Sequence, residues 1–209
     1  MYDKGNIKNL PLTAFDGRII VIITEQEAEK AVDYLLSQKM LGVDTETRPS
    51  FKKGEGHKVA LLQVSTEDTC FLFRLNHIGL SPSIVRLLED TTVPKIGLSW
   101  HDDILSLKKR GRFKPGWFID IQKHVGEIGV KDMSLQKLYA NFFHKKISKA
   151  QQLSNWEADI LTDKQKLYAA TDAWACIQLY KELIRLEQTN DYRLQETVDE
   201  IQEHISEEG

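Results

Sequence analysis

The segment Leu41-Gly42-Val43-Asp44-Thr45-Glu46 predicts a β-strand that ends in two carboxylates. Side chains alternate along a strand, so Asp44 and Glu46 would share one face while Thr45 points to the other. Two carboxylates this close repel each other, and burying them is costly unless a cation lies between them. Divalent ions such as Mg²⁺ prefer oxygen ligands. The segment therefore predicts a metal site, and the alternative is a strand that simply ends at the surface.

The flanking sequence predicts an α/β domain with a strand-rich first half and a helical second half. β-branched and apolar runs indicate further strands at 18–24, 59–65, 69–73 and 93–99. Apolar periodicity and Thr24, which can cap a helix whose third residue is Glu27, indicate helices at 25–39, 83–88, 101–109, 134–142, 157–161 and 163–188. The sheet is expected to be mixed.

Two further groups of acids follow along the chain. Tyr168 and Asp172 are four residues apart on a predicted helix and would share one face, next to alanines that allow another element to approach closely. Asp102 and Asp103 begin the helix after the strand at 93–99, where acids also act as caps. Asp120 ends an apolar run and is interpreted as a structural cap of the following helix.

Taken in order, Asp44-x-Glu46, then Asp103 after Lys95-Ile96-Gly97-Leu98, then Tyr168-x-x-x-Asp172 resemble the three exonuclease motifs of the DEDD superfamily, in its Tyr-containing branch. Ribonuclease D and the Werner syndrome exonuclease domain belong to this branch. Spacing from Gly97 favours Asp103 over Asp102 as the middle acid. The similarity extends over roughly residues 20 to 185, so it covers nearly the whole chain.

The resemblance implies an RNase H-like α/β fold, with a mixed sheet of five to six strands flanked by helices. It implies two divalent ions, Mg²⁺ or Mn²⁺, with Asp44, Glu46 and Asp172 on one ion, Asp44 shared, and Asp103 near the second. Tyr168 would orient the attacking water. The implied reaction removes nucleoside 5′-monophosphates from the free 3′ end of a nucleic acid. Candidate substrate contacts are Lys58, Gln63, His101 and Lys149.

Composition fits one soluble domain with an acidic end. The 209 residues are 41% hydrophobic and 28% charged, with a net charge of −3. A negative net charge by itself argues against a nucleic-acid partner, because phosphate binding favours basic surfaces. Residues 187–209, however, contain eight acids and one arginine, a charge of −7. Residues 1–186 therefore carry +4, which is compatible with a nucleic-acid partner. We expect an N-terminal extension (1–19), the exonuclease domain (20–186) and an acidic helix or tail (187–209).

The cysteines and the apolar runs of the sequence bear on metal binding by thiols and on the expected location of the protein. Cys70 and Cys176 lack metal-site spacing and are expected to be buried thiols. No apolar run reaches the length of a membrane span, and the amino terminus lacks the pattern of a signal peptide, so a cytoplasmic location without membrane association is expected.

The sequence leaves three functional alternatives open. DNA is slightly favoured over RNA as substrate, because a module of this extent resembles the Werner-type domain. The first alternative is an RNA 3′-end processing nuclease of ribonuclease D type. A catalytically silent nucleic-acid-binding domain is the second, but it predicts loss of a metal ligand, and none is lost. A different phosphohydrolase would need a phosphate-binding glycine loop, and the sequence contains none.

Overall fold

The computed structural model describes residues 4–52, 54–127 and 134–189. Within these ranges, six strands form one mixed sheet in the order β1-β4-β3-β2-β5-β6. The β2 strand pairs antiparallel with β3 and parallel with β5, which places it in the interior of the sheet. The strands are β1 (Arg18–Ile22), β2 (Leu41–Glu46), β3 (Leu61–Ser65), β4 (Thr69–Arg74), β5 (Lys95–Gly97) and β6 (Phe118–Asp120).

Helices cover both faces of this sheet. The described helices are α1 (Lys4–Ile7), α2 (Glu25–Leu35), α3 (Leu75–Ile78), α4 (Pro82–Glu89), α5 (Trp100–Lys108), α6 (Ile121–Glu127), α7 (Leu135–Phe143) and α8 (Asp163–Thr189). One core lies between the sheet and the pair α2 and α4, and it contains Val43, Leu62 and Val64. On the opposite face α8 crosses β2, β3 and β4. The mixed sheet and the helical second half confirm the predicted fold class.

Local interactions explain where several helices begin. Thr24 accepts a hydrogen bond from the backbone N–H of Glu27, and the Glu27 carboxylate accepts one from the N–H of Thr24, so the predicted capping box is present. The helix that follows ends at Leu35, four residues before the predicted end. Thr162 and Gln165 make the equivalent pair of bonds at the start of α8.

The predicted helix at 157–161 is wrong. This segment consists of turns, and the buried guanidinium of Arg74 takes the carbonyl oxygens of Ala158 and Asp159 as acceptors. Trp156 beside it is fully buried. Because a tertiary partner binds these carbonyl groups and a core aromatic anchors the chain, the segment does not need helical hydrogen bonds.

Other predictions concern the cysteines, the acidic end and the membrane. Cys70 and Cys176 are free and buried, as expected. Of the predicted acidic segment, residues 190–209 lie outside the described residues. No helix in the described part of the chain is long and apolar enough to cross a bilayer.

Candidate active site

Two carboxylates from the sheet and one from a helix converge at the carboxyl end of β2. Ligand oxygens of Asp44, Glu46 and Asp172 all lie within 4.8 Å of one another. The three acids line a cleft of about 300 Å³ together with Tyr168. The remaining lining residues are Thr45, Leu98, Ser134, Leu135, Gln136, Gln152 and Cys176. The sequence prediction that these three acids lie together agrees with this geometry.

Burial and mutual repulsion make the charged state of these acids costly. Burial raises the pKa of Asp44 well above its ordinary value, and the charges of Asp172 and Asp103 add to the effect. Burial likewise raises the pKa of Glu46 to about 10, with Asp44 as the next cause. Asp172 has its pKa raised to about 7 by burial, opposed by the Tyr168 hydroxyl and the positive charge of Lys149. The cluster therefore needs a compensating positive charge to remain ionised at neutral pH.

The donor set fits a hard divalent cation. All three candidate ligands supply carboxylate oxygens, and Oδ1 of Asp172 is buried with no hydrogen-bond partner among the described residues. A buried carboxylate oxygen without a partner is unfavourable unless a ligand occupies the space that it faces. A cation in the cleft would bind the free oxygen of Asp172. Its positive charge would also offset the repulsion among the three carboxylates.

Asp103 joins the site from α5, and Asp102 does not. The Thr45 hydroxyl donates a hydrogen bond to Oδ1 of Asp103, which ties α5 to the end of β2. Burial raises the pKa of Asp103 to about 6, and its charge raises the pKa of Asp44 and Glu46. Asp102 is exposed. This placement agrees with the choice of Asp103 as the middle acid.

The start of α5 is held by Asp120 in the neighbouring strand β6. Ser99 precedes α5 with φ of 56°, a left-handed conformation that few residues other than glycine adopt. Oδ1 of Asp120 accepts the N–H of Ser99 at 2.9 Å, and Oδ2 accepts the N–H of Trp100 at 3.0 Å. The same carboxylate accepts the N–H of Gln122 in α6, which is the predicted capping role. Asp120 thus also positions the helix that carries Asp103.

Tyr168 lies one turn before Asp172 on α8 and forms part of the cleft wall. Its ring packs against the buried indole of Trp156, with centroids 6.0 Å apart. Burial raises the pKa of the Tyr168 hydroxyl above its ordinary value, and the charges of Asp172 and Glu46 act in the same direction. The hydroxyl therefore keeps its proton at neutral pH and faces the carboxylate cluster as a neutral hydrogen-bonding group.

The candidate substrate contacts differ in their exposure. Lys58, His101 and Lys149 are exposed. The positive charge of Lys149 acts to lower the pKa of Asp172. Gln63 is fully buried, directly opposite Asp44 in the register between β2 and β3. The side chain of Gln63 has no exposed surface in this structure, and its role as a substrate contact stays a prediction.

Two side chains of the loop that follows Glu46, Arg48 and His57, contact the same carboxylate within the protein. Arg48 forms an ion pair with Glu157 at 3.3 Å, and Nδ1 of His57 lies 3.2 Å from the other oxygen of the same carboxylate. These contacts connect the loop after β2 to the turns before α8. Arg48 and His57 thus both contact Glu157, which is a structural role for these residues.

Sequence reasoning missed two contributions to the site. Strand alternation sends the Thr45 side chain away from Asp44 and Glu46, and nothing in the sequence shows that Asp103 would meet it there. The double role of Asp120 depends on the adjacency of β5 and β6, which pair in parallel. The sequence signal for it is only an acid at the end of an apolar run.

Comparison with known proteins identifies the family. A family model described as 3′-5′ exonuclease matches residues 19–186. The chain belongs to the 3′-5′ exonuclease family. The resemblance to DEDD exonucleases is thereby confirmed. Membership implies the use of divalent metal and identifies nucleic acid as the class of molecule on which such domains act.

Two relatives and one solved structure illustrate the similarity. A 3′-5′ exonuclease of Arabidopsis thaliana is 31% identical, covering 84% of this chain and 67% of the relative. The bifunctional 3′-5′ exonuclease/ATP-dependent helicase WRN of Mus musculus is 29% identical, covering 87% of this chain and 14% of the relative. Escherichia coli RNase D superposes with a TM-score of 0.72 at 17% identity, over 84% of this chain and 46% of that one.

These figures give the share of each relative that the chain covers and support the assignment of the fold. The chain spans about two thirds of the Arabidopsis relative and about a seventh of the mouse relative. The structural match to RNase D confirms the predicted RNase H-like fold.

Proposed function

We propose that this chain is a two-metal-ion 3′-to-5′ exonuclease that removes nucleoside 5′-monophosphates from the free 3′ end of a nucleic acid. The observation that carries the proposal is the convergence of Asp44, Glu46 and Asp172 within 4.8 Å. The ions would be Mg²⁺ or Mn²⁺, because all the candidate ligands are carboxylate oxygens. The fourth acid, Asp103, lies next to Thr45 at the edge of the same cleft.

Each residue of the cluster has a distinct task in this proposal. Asp44, Glu46 and Asp172 would hold one ion, and Asp44 and Asp103 would serve the second. Bound divalent ions would lower the pKa of the attacking water and stabilise negative charge on the leaving oxygen. Tyr168, which keeps its proton, would orient that water as a hydrogen-bond partner and would not act as a base.

The class of nucleic acid is the finer part of the proposal. We favour DNA slightly, since the mouse relative joins a 3′-5′ exonuclease to an ATP-dependent helicase. The alternative is an RNA 3′-end processing nuclease, supported by the structural similarity to RNase D, an exoribonuclease involved in structured RNA processing.

The test uses 5′-labelled single- and double-stranded DNA and RNA oligonucleotides with Mg²⁺, Mn²⁺ or chelator. We expect a ladder of products shortened from the 3′ end that requires a divalent ion and is abolished by Asp44→Asn. The matched control is Asp16→Asn, which removes an exposed acid outside the cleft. If no substrate is shortened with either ion, the proposed activity is wrong, and faster cleavage of RNA than of DNA would favour the alternative.

A further inference from the structure

A second pocket opens beside the carboxylate cleft. It encloses about 470 Å³ and shares Ser134 and Gln136 with the cleft, so the two cavities meet at the first turn of α7. Its other walls come from the segment around Ile147 and from the chain before β1. Its full lining is Ile7, Lys8, Leu12, Ser134, Gln136, Lys137, Lys146, Ile147, Ser148, Lys149 and Ala150.

The N-terminal wall lies outside the region matched by the family model and is firmly attached. The Thr13 N–H donates to the carbonyl oxygen of Lys146 at 2.9 Å, and the Lys146 N–H donates to Pro11 at 2.9 Å. Further along, the Phe15 N–H donates to the Thr171 hydroxyl at 3.1 Å, in a buried contact with α8. These bonds fix residues 11–15 against the segment around Lys146 and against α8.

The charged side chains that line this pocket are all positive. Four of its eleven lining residues are lysines, and none of these lining residues is acidic. The Lys146 ammonium donates to the carbonyl oxygen of Lys8, so Lys146 helps to hold the N-terminal wall. Lys8 and Lys149 are exposed, and Lys149 is close enough to Asp172 for its positive charge to act on the pKa of that carboxyl. The carboxylate cleft thus borders a separate cationic pocket.

From this arrangement we propose that the lysine pocket binds the phosphodiester backbone on the 5′ side of the scissile bond, with the N-terminal segment as its outer wall. The inference rests on the proposed exonuclease function. A lysine ammonium binds phosphate as a point charge, whereas base identity is read by hydrogen bonds to base edges. The pocket therefore recognises a polyanionic strand of DNA or RNA without reading its sequence or its sugar.

A substrate of minimal length separates this role from a direct role in cleavage. A dinucleotide has only the scissile phosphate, whereas a hexanucleotide also presents upstream phosphates to the pocket. We expect Lys8→Gln to lower kcat/KM for the hexanucleotide by about fivefold and for the dinucleotide by less than about twofold. Lys39→Gln, the same change at an exposed site after α2 on the opposite face of the sheet, should alter neither value.

Binding gives a readout that does not depend on turnover. In an Asp44→Asn background with chelator, anisotropy of a labelled hexanucleotide is measured between low and moderate salt. Lys8→Gln should reduce the magnitude of the slope of log Kd against log salt by about 0.7, as expected for one lost contact to a single strand. Lys39→Gln should leave the slope unchanged.

Three results distinguish this inference from the proposed function. Equal losses on the dinucleotide and the hexanucleotide would overturn the inference, since Lys8 would then act at the scissile phosphate. An unchanged salt slope in Lys8→Gln would overturn it as well. If the unmodified protein cleaves neither substrate, the exonuclease proposal fails, and the salt slope alone then decides whether the pocket binds a strand.

Discussion

Gly42 on β2 lies so close to Ala173 on α8 that a Cβ on Gly42 would be 2.0 Å from the Ala173 carbonyl oxygen. No side chain other than hydrogen fits at this separation. The contact lies two residues before Asp44 and one residue after Asp172. The distance between strand and helix, which Gly42 and Ala173 set, therefore also sets the distance between the carboxylates that form the candidate metal site.

Substituting Gly42 with alanine should separate these two elements. We expect Gly42→Ala to lower the free energy of unfolding by about 1–3 kcal/mol, as for overpacking of a core, and to weaken Mn²⁺ binding. Chemical denaturation and calorimetric titration with Mn²⁺ measure the two effects. The control is Gly56→Ala, because the space around Gly56 is open. Equal stability and metal affinity in the two variants would show that the close contact does not shape the site.

Removing one acid from the cluster should stabilise the metal-free protein. With chelator at pH 8, Asp172→Asn relieves repulsion with Asp44 and the cost of a buried charge, so we expect a gain of about 1 kcal/mol, the equivalent of roughly one pKa unit. This corresponds to a rise in Tm of about 3 °C. Excess Mn²⁺ should raise the Tm of the unmodified protein and leave that of Asp172→Asn nearly unchanged. A lower metal-free Tm in the variant would contradict the repulsion that we infer.

The two adjacent acids on α5 should respond differently to the same substitution. Asp103→Asn should lower kcat/KM on the order of 100-fold, since it removes a charged group at the edge of the cleft. Asp102→Asn should have less than about a twofold effect, because that side chain is exposed and outside the cleft. The reverse order in steady-state kinetics would move the middle acid of the site to Asp102.

The role of Asp120 can be separated from general stability. Asp120→Ala leaves the N–H groups of Ser99 and Trp100 without their acceptor, so it should cost about 1–2 kcal/mol and lower kcat more than it changes KM. Ser99→Gly removes the left-handed strain and should recover part of the lost stability in the double variant. Recovery of stability without recovery of kcat would support a positioning role for Asp120, whereas an unchanged kcat in Asp120→Ala would exclude it.

Local patterns in the sequence were sufficient for the parts of the fold that depend on neighbouring residues. Alternation in β2 placed Asp44 and Glu46 on one face, and the four-residue spacing placed Tyr168 and Asp172 on one turn of α8. The sequence did not predict the features that depend on contacts between distant segments. The helix at 157–161 does not form because Arg74, more than eighty residues away, binds its carbonyl groups. Gln63 is polar and lies opposite Asp44 in the sheet, yet it is fully buried, which its residue type did not indicate.

The most direct test of the proposed chemistry follows the oxygen of the attacking water. Digestion of a short oligonucleotide in ¹⁸O-labelled water with Mn²⁺ is followed by mass spectrometry of the earliest products. We predict a nucleoside 5′-monophosphate with one ¹⁸O on phosphorus, released from the 3′ end, and no such product from Asp44→Asn. Nucleoside 3′-monophosphates, internal fragments as first products, or equal release by Asp44→Asn would contradict this prediction.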